Sequence, residues 1–587
     1  MNENVYIIPH IQIRKNNPSQ SRGESPDSEP NPASLSDELS KKEEYSFEPI
    51  NIQEIVSSEQ DYIVVGESGI GKTCLLHWIG KQIALEGERA KYIPLLVQIK
   101  DITQIKTRNE FFSLLDTQYN LNEYDLERRR FLFLLDGLDQ IGEFDNINDR
   151  LKNKDIFGET NKIILTTRPI GYNWVNKDLE NKYEYLKTQP FSKEQIKEYL
   201  GKDYDNEHFQ AILSQNNDLL KVPILLKMVK MLLSTDRLSE IRNRASLYEE
   251  FIRYLFEDWE SAKKGRSSAY TSAIEIQKDL AELSFHAMEN NYLGSFPLEM
   301  GCKYFRNNTE RLDDVISWSV THNLIEKERQ KVIVYTHQSF QEYLASLRMK
   351  DKLCRNNRID QEILEQCLEY KRWDETIVFT VGMLDDEMAK TLIEKIVKYD
   401  LYLAGLCLTE LKGQRSRFKR LINELLKNIE KKEAQNVLIK IADSELIEKL
   451  INLLNDDNKN VGRRAVYVLG EIGTEKAIDI LIEILKDKDM DWYVRLRVAE
   501  VLGEIGAEKA IDALIAVLDD ENMVKYVCQS AAYALGEIGT EKAIDTLIAV
   551  LNDEGMDLDV RRSVAYALSK IGTEKAIDTL IAVLNDE

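Results

Sequence analysis

The stretch Gly66-Glu67-Ser68-Gly69-Ile70-Gly71-Lys72-Thr73, followed by Cys74, decides the reading of this chain. It fits G-x-x-x-x-G-K-[ST], the pattern of a phosphate-binding loop. The residues on either side agree with that chemistry. The run Tyr62–Val65 enters the loop directly, and Leu75, Leu76, Ile79 and Ile83 after it keep the apolar spacing of a helix. Glycines let successive backbone N–H groups turn towards a phosphate, and the helix N-terminus adds positive potential. In such a loop, formed by residues 66–74, Lys72 reaches the β- and γ-phosphates and the Thr73 hydroxyl binds Mg2+.

Downstream, Phe131-Leu132-Phe133-Leu134-Leu135 reads as a strand buried on both faces that delivers Asp136 at its C-terminal end. Beside a phosphate-binding loop, such an aspartate is the second Mg2+ anchor. A further strand ends in Thr166-Thr167-Arg168-Pro169, which brings Arg168 towards the γ-phosphate. With Ile93–Ile99 and Tyr183–Lys187, these runs alternate with helical patterns, as in an α/β domain with a mainly parallel sheet. The expected fold class is therefore multidomain α/β plus α. Residues 190–350 read as mostly helical, with Ser192 and Gln195 forming a capping box.

The C-terminal part repeats itself. VLGEIGTEKAID, VLGEIGAEKAID, ALGEIGTEKAID and ALSKIGTEKAID place Gly470, Gly503, Gly536 and Ser569 at equivalent positions, 33 residues apart. A fixed period of this size signals a solenoid of helix pairs, an A helix and a B helix per unit. Gly473, Gly506, Gly539 and Gly572 suit the left-handed position that ends helix A, and Thr474, Thr540 and Thr573 suit the N-cap of helix B. Ala507 fills that slot in the second unit and should cap less well. Cys528, in a helix-A pattern, reads as a core residue. The last unit ends on a B helix with no polar capping repeat behind it, so the expectation is that the sequence is truncated there, that a partner covers this end, or that a self-association surface is exposed.

Composition bounds the function. The chain has 587 residues, 43% hydrophobic and 30% charged, which is enough for several domains. Its formal charge of −23 disfavours nucleic acid and anionic membrane as partners. Between Ile451 and Glu587 there are 15 Lys+Arg and 27 Asp+Glu, so about half the excess sits in the repeats. The six scattered cysteines form no metal-like spacing and suit a reducing, cytoplasmic setting. Residues 4–13 alternate like a strand, and 14–44 read as a Pro- and Ser-rich linker.

Phe131 to Gln140, FLFLLDGLDQ, resembles the signature of NACHT NTPases, in which a small residue and then further acids follow the Mg2+-binding aspartate. Gly137 and Asp139 match; Gln140 departs, since glutamate is commoner there, and this points to slow hydrolysis. The resemblance continues through NDLLKVPILL (217–226), where Pro223 corresponds to a proline near the adenine. It includes LYEEF (247–251), ahead of a winged helix, and THQSFQEYLA (336–345), where His337 corresponds to a histidine that contacts the β-phosphate of ADP. The repeats resemble HEAT-like repeats of the bilin-lyase type. The resemblance implies catalytic roles for Asp136, Asp139 and Arg168, ATP/ADP and Mg2+ as cofactors, and assembly into a homo-oligomer on activation. It further implies a protein or peptide ligand on the repeats, a separate effector protein, and a place in signalling or antiphage defence. The domains would then be a strand and linker (1–54), the NACHT domain (55–190), a helical domain (191–262), a winged helix (263–350), a helical linker (351–440) and HEAT-like repeats (441–587). Two other readings stay open at this level: a constitutive ATPase or GTPase, and a repeat scaffold with a structural nucleotide.

Overall fold

Strand formation follows the apolar runs closely. In chain order the first elements are β1 (Ile11–Asn16), β2 (Tyr45–Pro49), α1 (Ile52–Ser57), β3 (Asp61–Val65), α2 (Lys72–Leu85) and β4 (Ile93–Gln98). Next come α3 (Ile99–Ile102), α4 (Arg108–Tyr119), β5 (Phe131–Asp136), β6 (Lys162–Thr167) and β7 (Tyr183–Thr188). They form a seven-stranded sheet in the order β2-β1-β7-β3-β6-β5-β4. The five strands from β7 to β4 are parallel, and every residue of β5 and β6 is buried. Such a sheet needs helices on both faces, which is why these strands lack alternation. β5 and β3 are not neighbours; β6 lies between them.

The structure, a computed structural model, describes residues 11–16, 45–66, 69–87, 90–102, 105, 107–119, 121, 129–138, 151, 156–158, 160–167 and 182–233. It continues over 235–262, 273–306, 308–321, 324–327, 332–355, 358–411, 415–456, 458–520 and 523–585. The N-terminal strand is described at Ile11–Asn16, and residues 4–10 of the alternation over 4–13 lie outside the described residues. Pairing on both sides holds this strand in the sheet. Ile11 and Ile13 are buried in one core with Leu186, and Ile13 is opposite Leu186 of β7. Arg14, Lys15 and Asn16 continue the strand as partners of β2, which extends the sheet beyond β7.

At the N-terminal edge of this sheet, Lys162 closes the end of α1. Its ammonium donates to the carbonyls of Ile55 and Ser58, the latter at 2.7 Å, and stands 5.1 Å from the Tyr62 ring centre. Carbonyls at a helix C-terminus attract a cation, so this lysine caps α1 from across the sheet.

The helices α5 (Lys193–Leu200), α6 (Glu207–Leu220), α7 (Pro223–Leu232) and α8 (Arg244–Ala262) follow. The Ser192–Gln195 capping box forms in both directions at the start of α5. Then α9 (Ala273–Glu289), β8 (Ser295–Pro297), α10 (Leu298–Tyr304), α11 (Thr309–Thr321), β9 (Ile325–Lys327) and β10 (Val332–Tyr335) build three helices and a small antiparallel sheet, ordered β8-β10-β9. This is a winged-helix arrangement, and α12 (Gln338–Leu353) leads out of it. After α12 come the two-residue strands β11 (Cys354–Arg355) and β12 (Arg358–Ile359), then α13 (Gln361–Leu368) and α14 (Asp374–Gly382). One apolar core runs from Phe191 through α7, α8, α9 and α12 to Phe379.

The chain divides into two compact units, Met1–Met383 and Leu384–Glu587. The second is a stack of helices. It begins with α15 (Asp386–Ile396), α16 (Leu401–Cys407), α17 (Lys419–Lys427), α18 (Lys432–Lys440) and α19 (Ser444–Leu453). The repeating pairs follow: α20 (Lys459–Ile472) with α21 (Glu475–Lys486), and α22 (Trp492–Glu504) with α23 (Ile511–Leu518). Then come α24 (Lys525–Ile538) with α25 (Glu541–Asn552), and α26 (Leu558–Ile571) with α27 (Glu574–Asn585).

Successive A helices (α20, α22, α24, α26) touch through glycine. A Cβ at Gly470 would overlap Val501, one at Gly503 would stand 2.6 Å from Ala534 Cα, and one at Gly536 would stand 2.8 Å from Ala567 Cβ. The helix-propensity cost of a mid-helix glycine is offset by this close approach. Gly473, Gly506, Gly539 and Gly572 all adopt the left-handed conformation, with φ from 60° to 65°. Thr474 and Thr540 cap their B helices through their hydroxyls. Ala507 makes no side-chain cap, and its unit opens on a 3-10 turn, so α23 starts only at Ile511. Cys528 is buried, its thiol on the Val517 carbonyl at 3.5 Å.

Candidate functional site

The candidate site gathers at the C-terminal ends of β3, β5 and β6. Gly69 and Gly71 hold φ of 79° and 96°, values open to glycine and strained for other residues. Gly71 is the N-cap of α2 and offers no side chain to it, so the first-turn N–H groups of Lys72, Thr73 and Cys74 have no acceptor within the helix. Ile70 is buried and anchors the loop, while Thr73 and Cys74 are exposed. The Gly66 N–H donates to the Thr167 carbonyl at 3.1 Å, which ties the loop to β6. A Cβ at Gly66 would overlap the Thr188 hydroxyl, and that hydroxyl donates to the Val65 carbonyl at 3.2 Å. Lys72 Nζ donates to the Gly66 carbonyl at 2.6 Å, so the ammonium reaches back over the loop.

Asp136 is buried at the end of β5. Its Oδ2 accepts the Thr73 hydroxyl at 2.8 Å, and its Oδ1 accepts the Thr166 hydroxyl at 2.5 Å. Thr166 Oγ1 also accepts the Gly137 N–H at 3.0 Å. One threonine thus holds both the carboxylate and the turn after it, and Gly137 takes that turn at φ 85°. Sequence reasoning did not single out Thr166 or Thr188. Their available signal was position: each sits at or next to the C-terminal end of a strand that neighbours β3.

The loop has a lid on its other side. The Ile224 N–H approaches the Gly69 carbonyl at 3.4 Å, and a Cβ on Gly69 would stand 2.5 Å from Ile224 Cγ2 and 3.1 Å from Val222 Cγ1. Pro223 occupies the first turn of α7, where its missing N–H costs nothing. Crowding pushes the Cys74 thiol above its ordinary pKa; the Lys227 charge on α7 opposes the shift and the Asp136 charge adds to it. His337 caps α12. Glu67, Ser68, Asp139, Gln140 and Arg168 lie outside the described residues.

Residues 60–207 match the NACHT domain, and 419–491, 485–558 and 525–587 match HEAT repeats. The chain carries a NACHT domain and C-terminal HEAT repeats. NACHT domains are P-loop NTPases that bind nucleotide, typically with Mg2+. The glycine cradle, the open first turn of α2 and the Thr73–Asp136 pair have the donor set that such a ligand and cation need. Among solved structures, human deoxyhypusine hydroxylase is 20% identical (TM-score 0.17) over 41% of this chain and 91% of its own. The Aeropyrum pernix ORC1 protein, solved with DNA, is 12% identical (TM-score 0.26) over 58% and 99%. A RuvB variant of Thermotoga maritima is 11% identical (TM-score 0.22) over 48% and 87%. At these scores the likenesses carry no argument about function. No curated protein matches the sequence significantly. Among the described residues no helix is long and apolar enough to cross a membrane, and no cluster of three His, Cys, Asp or Glu forms a metal site.

Proposed function

We propose that this NACHT protein is an ATP/ADP-dependent signalling switch whose HEAT repeats sense a protein or peptide ligand and license homo-oligomerisation, in a setting such as antiphage defence with a separate effector. The observation that carries this reading is the grip of Val222 and Ile224 on Gly69. It ties the helical half of the first unit to the loop that would hold the phosphates. A change of nucleotide that moves the loop therefore acts on α7 and the core continuous with it. A plain turnover enzyme does not need that coupling.

In this reading Lys72 faces the β- and γ-phosphates, Thr73 and Asp136 hold Mg2+, and Thr166 keeps Asp136 aimed. The cation supplies neutralisation of phosphate charge. The family resemblance assigns Pro223 to the adenine, Asp139 and Arg168 to the γ-phosphate, and His337 to the β-phosphate. The repeats offer an aromatic surface for a polypeptide. Tyr526, Tyr533 and Tyr566 are 46%, 43% and 50% exposed, Trp492 stands 5.8 Å from Tyr526, and Tyr533 stands 5.7 Å from Tyr566. Tyrosine and tryptophan are enriched in protein-binding hot spots, and here three exposed tyrosines stand beside a half-buried Trp492. To move a population from 1:99 to 99:1, such a ligand must prefer the active form by about 5.5 kcal/mol.

The test is turnover with assembly. Steady ATP hydrolysis well below about 1 s⁻¹, with ATP-dependent growth in mass by light scattering that Lys72→Ala abolishes, is expected. Hydrolysis of about 1–100 s⁻¹ by a monomer would make the chain an ordinary NTPase enzyme.

A further inference from the structure

Lys227 is exposed on α7, between the buried Leu226 and Met228. Residues three and four apart share one face of a helix, so Lys227 stands one turn beyond Pro223 and Ile224 on the same side. That side is turned to the phosphate loop. The Ile224 N–H approaches the Gly69 carbonyl at 3.4 Å, and the Ile224 side chain fills the space that a Cβ on Gly69 would need. One turn further along, the Lys227 charge reaches the start of α2, where it pulls the Cys74 thiol down against the rise that burial causes. Ile224 at Gly69 and Lys227 near Cys74 thus lay α7 along the loop, from its bend to the first turn of α2.

This cation is uncommitted. Among the described residues Lys227 forms no hydrogen bond or ion pair, whereas Lys230, next along α7, donates to the Tyr199 carbonyl at 2.7 Å. Lys227 instead approaches a helix N-terminus, whose N–H groups at Lys72, Thr73 and Cys74 have no acceptor within the helix. A positive side chain beside the positive end of a helix is unfavourable on its own. An anion between the two reverses the sign, because the free N–H groups and the ammonium then bind the same charge.

We infer that Lys227 is a nucleotide-binding residue supplied by the helical half, its ammonium pairing with the phosphate seated on the first turn of α2. This rests on the switch reading above and deepens it, since the loop and α7 then hold one ligand together. Lys72 serves the β- and γ-phosphates, and the loop N–H groups cradle the α- and β-phosphates. Lys227 enters at the Cys74 end of the loop, so it meets charge that ADP and ATP have in common. It retains either nucleotide and does not tell them apart. Its contribution exists only while α7 lies on the loop, so nucleotide and α7 keep each other in place.

The experiment uses the full chain stripped of bound nucleotide and titrated calorimetrically with unlabelled ADP and with ATP, in Mg2+. Lys227→Gln should weaken both by about tenfold, the worth of one hydrogen bond to a charged group at an exposed site. Lys227→Glu should weaken both further, Lys227→Arg should restore both, and the deficit of Lys227→Gln should shrink as salt is raised. Alkylation of Cys74 in the empty protein, followed by peptide mass spectrometry, reads the placement without any ligand. It should be slower in Lys227→Gln than in Lys227→Arg, because the thiolate loses a neighbouring cation. Affinities for ADP and ATP that Lys227→Gln leaves within twofold of wild type overturn the inference, and the switch reading survives that result. Equal, salt-independent losses in Lys227→Gln and Lys227→Arg also overturn it, since they mark a packing role. A wild-type chain that binds neither nucleotide overturns both.

Discussion

Replacing Gly503 by alanine sets two effects against each other, and the structure decides between them. Away from contacts, Gly→Ala inside a helix stabilises by about 1 kcal/mol, because alanine loses less conformational freedom. Here the new Cβ would stand 2.6 Å from Ala534 Cα, 2.9 Å from Ala534 Cβ and 3.0 Å from Glu537 Oε2. Ordinary contact needs about 3.5–4.0 Å, so α22 and α24 must part by about 1 Å. The obstacle is backbone and cannot turn away. Overpacking of this kind costs about 1–3 kcal/mol, and the upper half of that range applies. The net expectation is a loss of about 1–2 kcal/mol, local to the second and third units. Hydrogen exchange by mass spectrometry on the full chain reads this directly, as roughly 5- to 30-fold faster exchange in α22 and α24. Ser569, the equivalent position in the fourth unit, is exposed, so Ser569→Ala is the control and should leave α26 unchanged or slightly better protected. Slower exchange in Gly503→Ala would refute the packing argument and return the glycine to chance.

Ala507→Ser should supply the missing cap, extend α23 towards residue 508 and stabilise by about 1 kcal/mol, read as slower amide exchange over 508–514. Burial pulls Lys162 down to about 8, against the attraction of Asp61 and Glu59. The unfolded chain then holds a proton that the folded chain lacks between pH 8 and about 10.4. Stability relative to Lys162→Met should therefore rise with pH across that window, with about 1.4 kcal/mol for each unit of displacement. Chemical denaturation at pH 7.5 and 10 checks the sign. Thr166→Val removes a donor from a buried carboxylate and should weaken Mg2+-dependent nucleotide binding by roughly tenfold or more, with binding in EDTA unaffected.

The parallel sheet was legible because its strands are continuous apolar runs, and such runs have few other uses in a chain of this kind. The edges were less legible. Tyr45–Pro49 is short and follows a polar stretch, and only its partner β1 makes it a strand. In the site, the loop and Asp136 could be read from residue type and spacing. The threonines that fix them could not, since a strand's pattern says that Thr166 is buried and not which oxygen it meets. The grip of Val222 and Ile224 on Gly69 joins residues more than 150 positions apart, and no local pattern carries it. In the repeats, the left-handed glycines and the weak cap at Ala507 could be read from one unit, because they are contacts within a turn. The role of Gly503 needed the next unit in place.

The most direct test of the account is the nucleotide that the protein carries. The full chain is purified without added nucleotide and denatured, and whatever is released is identified by chromatography and mass spectrometry. Near-stoichiometric ADP, lost in Lys72→Ala, is the predicted result. An empty site that binds neither ADP nor ATP on addition would contradict the switch and leave the repeats as the working part of the molecule.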